Sequence, residues 1–302
     1  MKISILSHPF VNENNPLEGF KLLQNAGFDF VDFSFFTQLP YDEVVNGHTE
    51  NFFSRPLRDV KDFYRPYAEA MKETGVFAHQ CHAPFPSYTP NDAMNEAICT
   101  AIEKCMAVCV DMRCKFIVVH PYFSAYPQRM DGETRWRLNK EFYTRLIPCA
   151  KEYGVEICLE NMFIEYRGRL YASACSDMDE AALYVDRLND IAGFECFSFC
   201  YDTGHQTIIG KDMRENIRRM GKRIHTLHVH DNDGYRDQHM GPFMGVGDWD
   251  AFIQGMQAIQ YSGVLNLESG AVFRWSPREI WPQTLSLLAA AARYLGDRIE
   301  AR

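Results

Sequence analysis

The sequence predicts a closed (β/α)8 barrel, in which eight parallel strands are each followed by a helix. Short runs rich in β-branched and aromatic residues alternate with longer amphipathic stretches along all 302 residues, as repeated βα units require. Several amphipathic stretches end in a glycine directly before the next strand. An open doubly wound sheet is the alternative, but no Gly-x-Gly-x-x-Gly motif follows the first strand, so a nucleotide cleft of that kind has no support.

Eight strands and eight helices can be placed in order. The strands are predicted at Lys2–Leu6, Phe28–Phe35, Val76–His82, Lys115–His120, Val155–Glu160, Phe197–Asp202, His225–His230 and Val264–Glu268. The helices are predicted near residues 16–26, 57–74, 92–111, 134–153, 178–190, 212–221, 249–260 and 278–296. Four αβ turns carry a glycine just before the strand, at Gly27, Gly75, Gly154 and Gly263. Glycine accepts the left-handed conformation that ends many helices, so each of these four turns is expected to be tight.

Composition and the absence of a linker favour one barrel domain over residues 1–302. Hydrophobic residues make up 46% of the chain and charged residues 24%, values typical of a soluble protein with a large core. No Pro-rich or Ser-rich linker divides the sequence. The longest connections are expected at residues 36–56, 161–177 and 231–248, on the face of the barrel where active sites form.

Charge and segment patterns argue against several functional classes. The net charge is −9, which disfavours nonspecific binding to nucleic acid. The first residues lack the pattern of a secretory signal, and no apolar run is long enough to span a membrane. The ten cysteines contain no CxxC pair and are expected to be reduced and mostly buried. We therefore expect a cytoplasmic protein.

Side chains able to bind metal or transfer protons follow six consecutive predicted strands. They are His82, His120, Glu160, Asp202, His228 and Glu268, with His205, His230, Asp237 and His239 close behind in the sequence. Taken singly, a strand-end acid usually caps a helix, and a histidine before proline can hold a turn. Together, three carboxylates and several imidazoles at one mouth would repel and desolvate one another unless a cation lay among them. The pattern predicts a divalent metal site.

Glu160, Asp202, His228 and Glu268 are the predicted ligands of the principal metal, because they come from the last four strands. Three carboxylates and one imidazole suit Mn²⁺, Mg²⁺ or Co²⁺ better than a structural Zn²⁺, which prefers thiolates and imidazoles. The expected ion is Mn²⁺, with the other three as alternatives.

Five sequence features resemble the xylose-isomerase-like barrel superfamily, which includes sugar-phosphate isomerase and epimerase-type proteins, ketose 3-epimerases and endonuclease IV. They are the Glu160-Asn161 strand end, Asp202-Thr203-Gly204-His205, His228-Val229-His230-Asp231, Asp237-Gln238-His239 with Gly245-Val246-Gly247-Asp248, and Glu268. The resemblance extends from His82 to Glu268. Its motifs are specific for the superfamily and weak for the reaction.

The resemblance implies a metal-dependent sugar or sugar-phosphate isomerase or epimerase. Glu160 and Glu268 would act as the paired base and acid on either side of a sugar, through a cis-enediolate. Substrate contacts are expected from His82, His120, His205, Arg236, Asp237, His239 and Arg274. The expected ligand is a small carbohydrate, without a membrane or nucleic-acid partner, and barrels of this kind often pair as homo-oligomers.

Alternatives remain open within the same superfamily. The first is an endonuclease IV-like multi-zinc phosphodiesterase acting on abasic DNA, because His82, His120, His205, Asp237 and His239 supply more metal-binding groups than one ion needs. The second is a lyase subunit acting on an oxidised sugar or glycoside, and the third is a barrel that binds a sugar or partner subunit without turnover.

Two further features bear on the substrate. Residues 165–171 mix basic and aromatic side chains, and we interpret them as an active-site lid. Seven aromatic residues lie near predicted strand ends, where they would stack on a sugar or pack in the core: Phe10, Phe35, Phe36, Phe85, Tyr122, Phe163 and Trp275.

Overall fold

The computed structural model describes residues 1–122, 130–274 and 276–301. Ten strands occur in these ranges: β1 Ile3–Leu6, β2 Phe30–Ser34, β3 Phe77–His82, β4 Phe116–Val118, β5 Glu156–Glu160, β6 Phe163–Tyr166, β7 Arg169–Ala172, β8 Phe197–Asp202, β9 Ile224–His228 and β10 Leu265–Leu267. Eight of them form one parallel sheet in the order β10-β1-β2-β3-β4-β5-β8-β9. Each corresponds to a predicted strand, shortened at one or both ends in all but one case.

The sheet is nearly closed into a barrel where β9 approaches β10. The amide of Val229 donates to the carbonyl of Asn266 at 2.9 Å, and the amide of Glu268 donates to the carbonyl of Val229 at 3.0 Å. The predicted barrel is therefore confirmed. Because all eight strands run parallel, their carboxyl ends gather at one mouth.

Ten helices surround the barrel in the described part of the chain: α1 Pro16–Ala26, α2 Tyr41–Val45, α3 Leu57–Thr74, α4 Asp92–Asp111, α5 Gly132–Tyr153, α6 Met178–Ala192, α7 Thr203–Ile208, α8 Met213–Met220, α9 Trp249–Ala258 and α10 Trp281–Glu300. Eight match predicted helices. The short helices α2 and α7 were not predicted, since each is under two turns long and has no apolar periodicity to detect. None of the described helices combines the length and apolarity needed to cross a bilayer.

Three of the four predicted glycine turns are left-handed. Gly27, Gly75 and Gly154 have φ values of 94°, 75° and 64° and cap the helices before them. The prediction for Gly263 was wrong, because the left-handed residue after α9 is Gln260, with φ 56°. Gly263 instead lies against the ring of Tyr261, whose hydroxyl would be 2.4 Å from a Cβ at that position.

The apolar core lies mainly between the strands and the outer helices, and a smaller cluster of Val118, Cys158 and Cys200 fills the barrel interior against Phe116. All ten cysteines are free, and nine of them are buried. Above the small interior cluster the barrel carries polar and charged side chains instead of apolar ones. The candidate site begins where the interior side chains change from apolar to polar.

Candidate active site

The predicted strand-end residues converge at the mouth of the barrel. His82, Glu160, Asp202 and His228 are the last residues of β3, β5, β8 and β9, and Glu268 directly follows β10. Glu160, Asp202 and His228 are at most 1% exposed, and Glu268 is 8% exposed. Buried charges at this density require partners that neutralise them.

The four predicted metal ligands come together in one group. Glu160, Asp202, His228 and Glu268 each offer a ligand atom, and these atoms all lie within 4.8 Å of one another. Nδ1 of His228 is 3.0 Å from Oε1 of Glu160 and 3.5 Å from Oε2 of Glu268. Among the described residues Oε2 of Glu160 accepts no hydrogen bond, although Nε2 of His120 lies 3.0 Å away. Buried carboxylate oxygens gathered in an oxygen-rich donor set fit a divalent cation.

In the metal-free protein, the pKa values of Glu160 and Glu268 are shifted in opposite directions. Burial raises the pKa of Glu160, but the charges of His228 and His120 outweigh burial and hold that pKa well below its usual value. Burial also raises the pKa of Glu268, and there the histidines His228 and His239 do not offset it, so its pKa stays above the usual value. Two carboxylates with divergent proton affinities at one site are typical of acid–base chemistry.

His228 is held from below by a residue that sequence reasoning missed. Oδ2 of Asp32, on β2, lies 2.9 Å from Nε2 of His228 and is completely buried. It also accepts hydrogen bonds from the side-chain amides of Gln80 at 2.8 Å and Asn266 at 3.2 Å. The available signal was a charged residue inside the apolar run of residues 28–35.

His82 and His120 lie beside Glu160. Their Nε2 atoms are 3.1 Å apart, and the ring of His82 stacks almost parallel on that of His228 at 5.3 Å. Nδ1 of His82 lies 2.9 Å from the carbonyl oxygen of Ala83. Burial, reinforced by the charges of His120 and His228, lowers the pKa of His82 to about 4. His82 is therefore a neutral imidazole near pH 7.

Asp202 both caps a helix and lies among the four predicted metal ligands. Its Oδ1 accepts from the amide of His205 at 2.6 Å, which caps α7, and its Oδ2 is 3.1 Å from Nε2 of His230. Asn161 bridges β5 to β8, since its side chain exchanges hydrogen bonds with the backbone of Asp202 at 2.8 and 2.9 Å. The carbonyl of Asn161 lies 2.7 Å from Nδ1 of His205. The cap therefore fixes His205 as well as Asp202.

His230 belongs to the site, although no ligand or substrate role was predicted for it from the sequence. His228 and His230 are two residues apart and share the inner face of the barrel. His230 stacks on His239 with ring centroids 4.1 Å apart, and Nε2 of His239 is 2.9 Å from Oδ2 of Asp237. Two further groups in this region offer ligand atoms: Asp202 with His205 and His230, and His230 with His239 and Glu268.

The loop carrying Asp237 and His239 is anchored by Asp231. The carboxylate of Asp231 accepts from the amides of Gly245 and Gly247, both at 2.9 Å, and from the indole of Trp249 at 3.1 Å. A Cβ on Gly245 would lie 2.2 Å from the carbonyl oxygen of Asn232, so glycine is required for this close approach. The Gly-Val-Gly-Asp motif thus positions the loop.

A cavity of about 950 Å³ opens above the ligand group. Its floor includes Glu268, Asp237 and His239, and its walls include Arg236 and Arg274. Arg236 is turned toward Asp233, with which it forms an ion pair at 2.9 Å. All seven predicted substrate contacts lie at or near the mouth, and Arg236 and Arg274 are on its exposed rim.

The aromatic residues near the strand ends divide between core and cavity. Phe10 and Phe35 are buried in the core, whereas Phe36 and Phe85 line the cavity. The ring of Tyr122 is tilted by 55° against that of Tyr88, with centroids 3.8 Å apart, beside a smaller pocket. Trp275 lies outside the described residues.

The segment predicted to be a lid forms an antiparallel hairpin. β6 and β7 pair from Phe163 opposite Ala172 to Tyr166 opposite Arg169. The two turn residues, Arg167 and Gly168, have φ values of 53° and 71°, as in the type I′ turns that join such strands. Phe163 contacts the ring of His205 edge-on at 4.9 Å. The hairpin is thereby connected to the site.

The chain belongs to the xylose isomerase-like TIM barrel family, which it matches over residues 20–291. Among curated proteins it is 27% identical over 196 residues to an uncharacterized protein of Methanocaldococcus jannaschii, MJ1311. The matched part covers 62% of this chain and 63% of that protein.

Solved structures with the same fold include sugar epimerases. The apo 3-keto-D-glucoside 4-epimerase YcjR of E. coli superposes with a TM-score of 0.70 at 17% identity, covering 96% of this chain and 99% of the other. A D-psicose 3-epimerase in the presence of D-fructose gives 0.67 at 13% identity, covering 98% and 99%. The IOLI protein with a bound zinc atom gives 0.69 at 18% identity, covering 99% and 98%. At these identities the likeness establishes the fold alone.

Proposed function

We propose that this chain is a metal-dependent sugar isomerase or epimerase, with Glu160, Asp202, His228 and Glu268 holding one Mn²⁺. The observation that carries the proposal is the convergence of these four buried side chains, with ligand atoms within 4.8 Å of one another, at the mouth of the barrel. Mg²⁺, Co²⁺ and Zn²⁺ are alternatives for the same donors. The epimerase activities of the structural neighbours support the reaction class.

The proposed chemistry is proton transfer next to a carbonyl. The bound cation would supply Lewis-acid stabilisation of negative charge on a substrate oxygen. One of Glu160 and Glu268 takes the proton from the carbon adjacent to the carbonyl, giving a cis-enediolate. The other returns a proton to the neighbouring carbon or to the opposite face. His205 and His82, both fixed by backbone hydrogen bonds, orient the sugar hydroxyls.

The substrate is proposed to be a keto sugar, free or as part of a glycoside. The cavity of about 950 Å³ falls within the range that holds ligands of drug size, so its volume accommodates a sugar with an additional substituent. Arg236 and Arg274, on the exposed rim, would bind hydroxyl or phosphate groups of such a substituent.

Solvent exchange tests the proposal directly. Protein loaded with Mn²⁺ is incubated in D₂O with a panel of ketoses and keto-glycosides, and deuterium at the carbon next to the carbonyl is measured by NMR. We expect incorporation with the wild type and none with Glu160→Gln or Glu268→Gln. Glu156→Gln is the matched control, because Glu156 begins the same strand that Glu160 ends, away from the mouth. Retained exchange in both site variants would contradict the assigned roles.

A multi-metal phosphodiesterase is the second candidate. The observation that favours it is that His230 and His239 form another ligand group with Glu268, while His82 forms one with Glu160 and His228. Against it stands the net charge of −9, which is poor for holding a polyanionic backbone. About three Zn²⁺ per chain with cleavage of an abasic-site oligonucleotide would establish this activity, whereas about one ion per chain favours the isomerase.

A lyase outcome uses the same residues. If the carbon next to the enolate bears a leaving group, expulsion of that group replaces reprotonation. Analysis of the products for a released alcohol or sugar, in the same exchange experiment, separates the two reactions.

A further inference from the structure

We infer that Asp32 is a positioning residue that orients His228 toward the cation, an inference that rests on the proposed metal site. Asp32 belongs to β2, on the side of the barrel opposite the strands that supply the ligands. Its Oδ2 is 2.9 Å from Nε2 of His228, while the other ring nitrogen, Nδ1, points to Glu160 and Glu268. One imidazole therefore joins Asp32 to the ligand group.

The hydrogen-bond pattern fixes which nitrogen of His228 carries the proton in the metal-bound state. Oδ2 of Asp32 accepts from the side-chain amides of Gln80 and Asn266 and lies 2.9 Å from Nε2 of His228. An ionised carboxylate only accepts hydrogen bonds. Nε2 of His228 must then be the donor. In a neutral ring this leaves the lone pair on Nδ1, the nitrogen beside the two glutamates.

The same contact raises the electron density of the ligating nitrogen. A carboxylate that accepts from the distal nitrogen of a metal-binding histidine fixes the ring orientation and increases the basicity of the ligand. Both side chains are completely buried, so water does not compete for this hydrogen bond. The side-chain amides of Gln80 and Asn266, which donate hydrogen bonds to the carboxylate, hold it in place.

The backbone explains why Asp32 lies at this depth. The pairing of β2 with β3 shifts register between Val31 and Asp32, so that Val31 pairs with Ala78 and Asp32 pairs with Gln80. This irregularity places Asp32 level with Gln80, whose side chain holds it. The bulge therefore sets the height of the carboxylate beneath the imidazole.

The experiment measures metal affinity without substrate. Asp32→Asn keeps the side-chain shape but replaces the anionic acceptor by a weaker, neutral one. By calorimetric titration with Mn²⁺ we expect its affinity to fall about 10- to 100-fold relative to wild type. Glu156→Gln is the matched control, since Glu156 pairs with the ring of His225 at 2.6 Å outside the ligand group, and its affinity should stay within about twofold of wild type. Unchanged affinity in Asp32→Asn would overturn the inference.

A second measurement on the wild type does not depend on the folding of any variant. In Zn²⁺-loaded, ¹⁵N-labelled protein, NMR should show the proton of His228 on Nε2 and none on Nδ1. A proton on Nδ1 would overturn the inference and take His228 out of the metal ligands, whereas the proposed reaction would still be decided by the solvent-exchange experiment. A wild-type chain that binds no divalent cation in the titration would overturn both the inference and the proposed function.

Discussion

Nε2 of His230 lies 3.1 Å from Oδ2 of Asp202, and this approach depends on the absence of a side chain at residue 204. A Cβ on Gly204 would lie 1.9 Å from Cε1 of the His230 ring. Gly204 is in the first turn of α7, so the backbone that Asp202 caps cannot move away without loss of the cap. The glycine of the Asp-Thr-Gly-His motif is therefore required by packing against an imidazole.

Gly204→Ala is expected to destabilise the protein. The added methyl group forces His230 or α7 out of place, and overpacking of this kind costs about 1–3 kcal/mol. Urea denaturation of the metal-free protein measures the free energy of unfolding. Gly132→Ala is the control, because Gly132 is also in a helix and a Cβ there meets no atom within 4 Å. Equal stability of both variants and wild type would show that the ring has room to move.

Removal of divalent cations should lower thermal stability. Glu160, Asp202 and Glu268 are buried together, and a cation that binds only the folded chain stabilises it by about 2.7 kcal/mol at a concentration 100 times its Kd. Scanning calorimetry of chelator-treated protein, with and without added Mn²⁺, measures the shift in Tm. Glu160→Gln should show little of this increase. An identical Tm with and without every divalent ion tested would contradict the metal site.

Metal affinity should rise with pH. Burial alone would lower the pKa of His228, but its electrostatic neighbours Cys200, Glu268 and Glu160, in that order, and its bond to Asp32 raise that pKa well above the ordinary value. At neutral pH the metal-free ring is therefore protonated on both nitrogens, and one of these protons must leave when the cation binds. Affinity is lowest below the pKa of the metal-free ring and increases as pH rises through it. Titrations in buffers of different ionisation enthalpy should show proton release, and binding without proton release would contradict this account.

How much of the site could be predicted depended on where each residue lies along its strand. Glu160, Asp202 and His228 end their strands. In a parallel barrel all such ends meet, so the local sequence was sufficient to predict that these residues lie together. Asp32 lies within β2, and its contact with His228 depends on a register shift between two strands. Its role depends on residues 196 positions apart, which no local pattern reports.

Among the elements that were not predicted, α7 and the hairpin of β6 and β7 are short and have no periodic apolar pattern. α7 has six residues, and its start is set by the cap at Asp202 instead of by apolar periodicity. The hairpin of β6 and β7 is short and partly exposed, so it lacks the alternation of a half-buried strand. Its strongest signal was the Arg167-Gly168 pair, because glycine favours the left-handed turn.

The hairpin should contribute to turnover and not to metal binding. Most of its residues are exposed or half-buried, and Phe163 contacts the ring of His205 at the site. Replacing residues 165–170 by two glycines keeps Phe163 and leaves the barrel strands intact. We expect Mn²⁺ affinity within about twofold of wild type and, because water is no longer excluded from the cavity, a kcat/KM at least about tenfold lower. Steady-state kinetics on a substrate identified by deuterium exchange measure the loss. The control is Leu287→Ala, on the exposed outer surface of α10, which should leave both quantities unchanged; full activity in the shortened chain would contradict a lid.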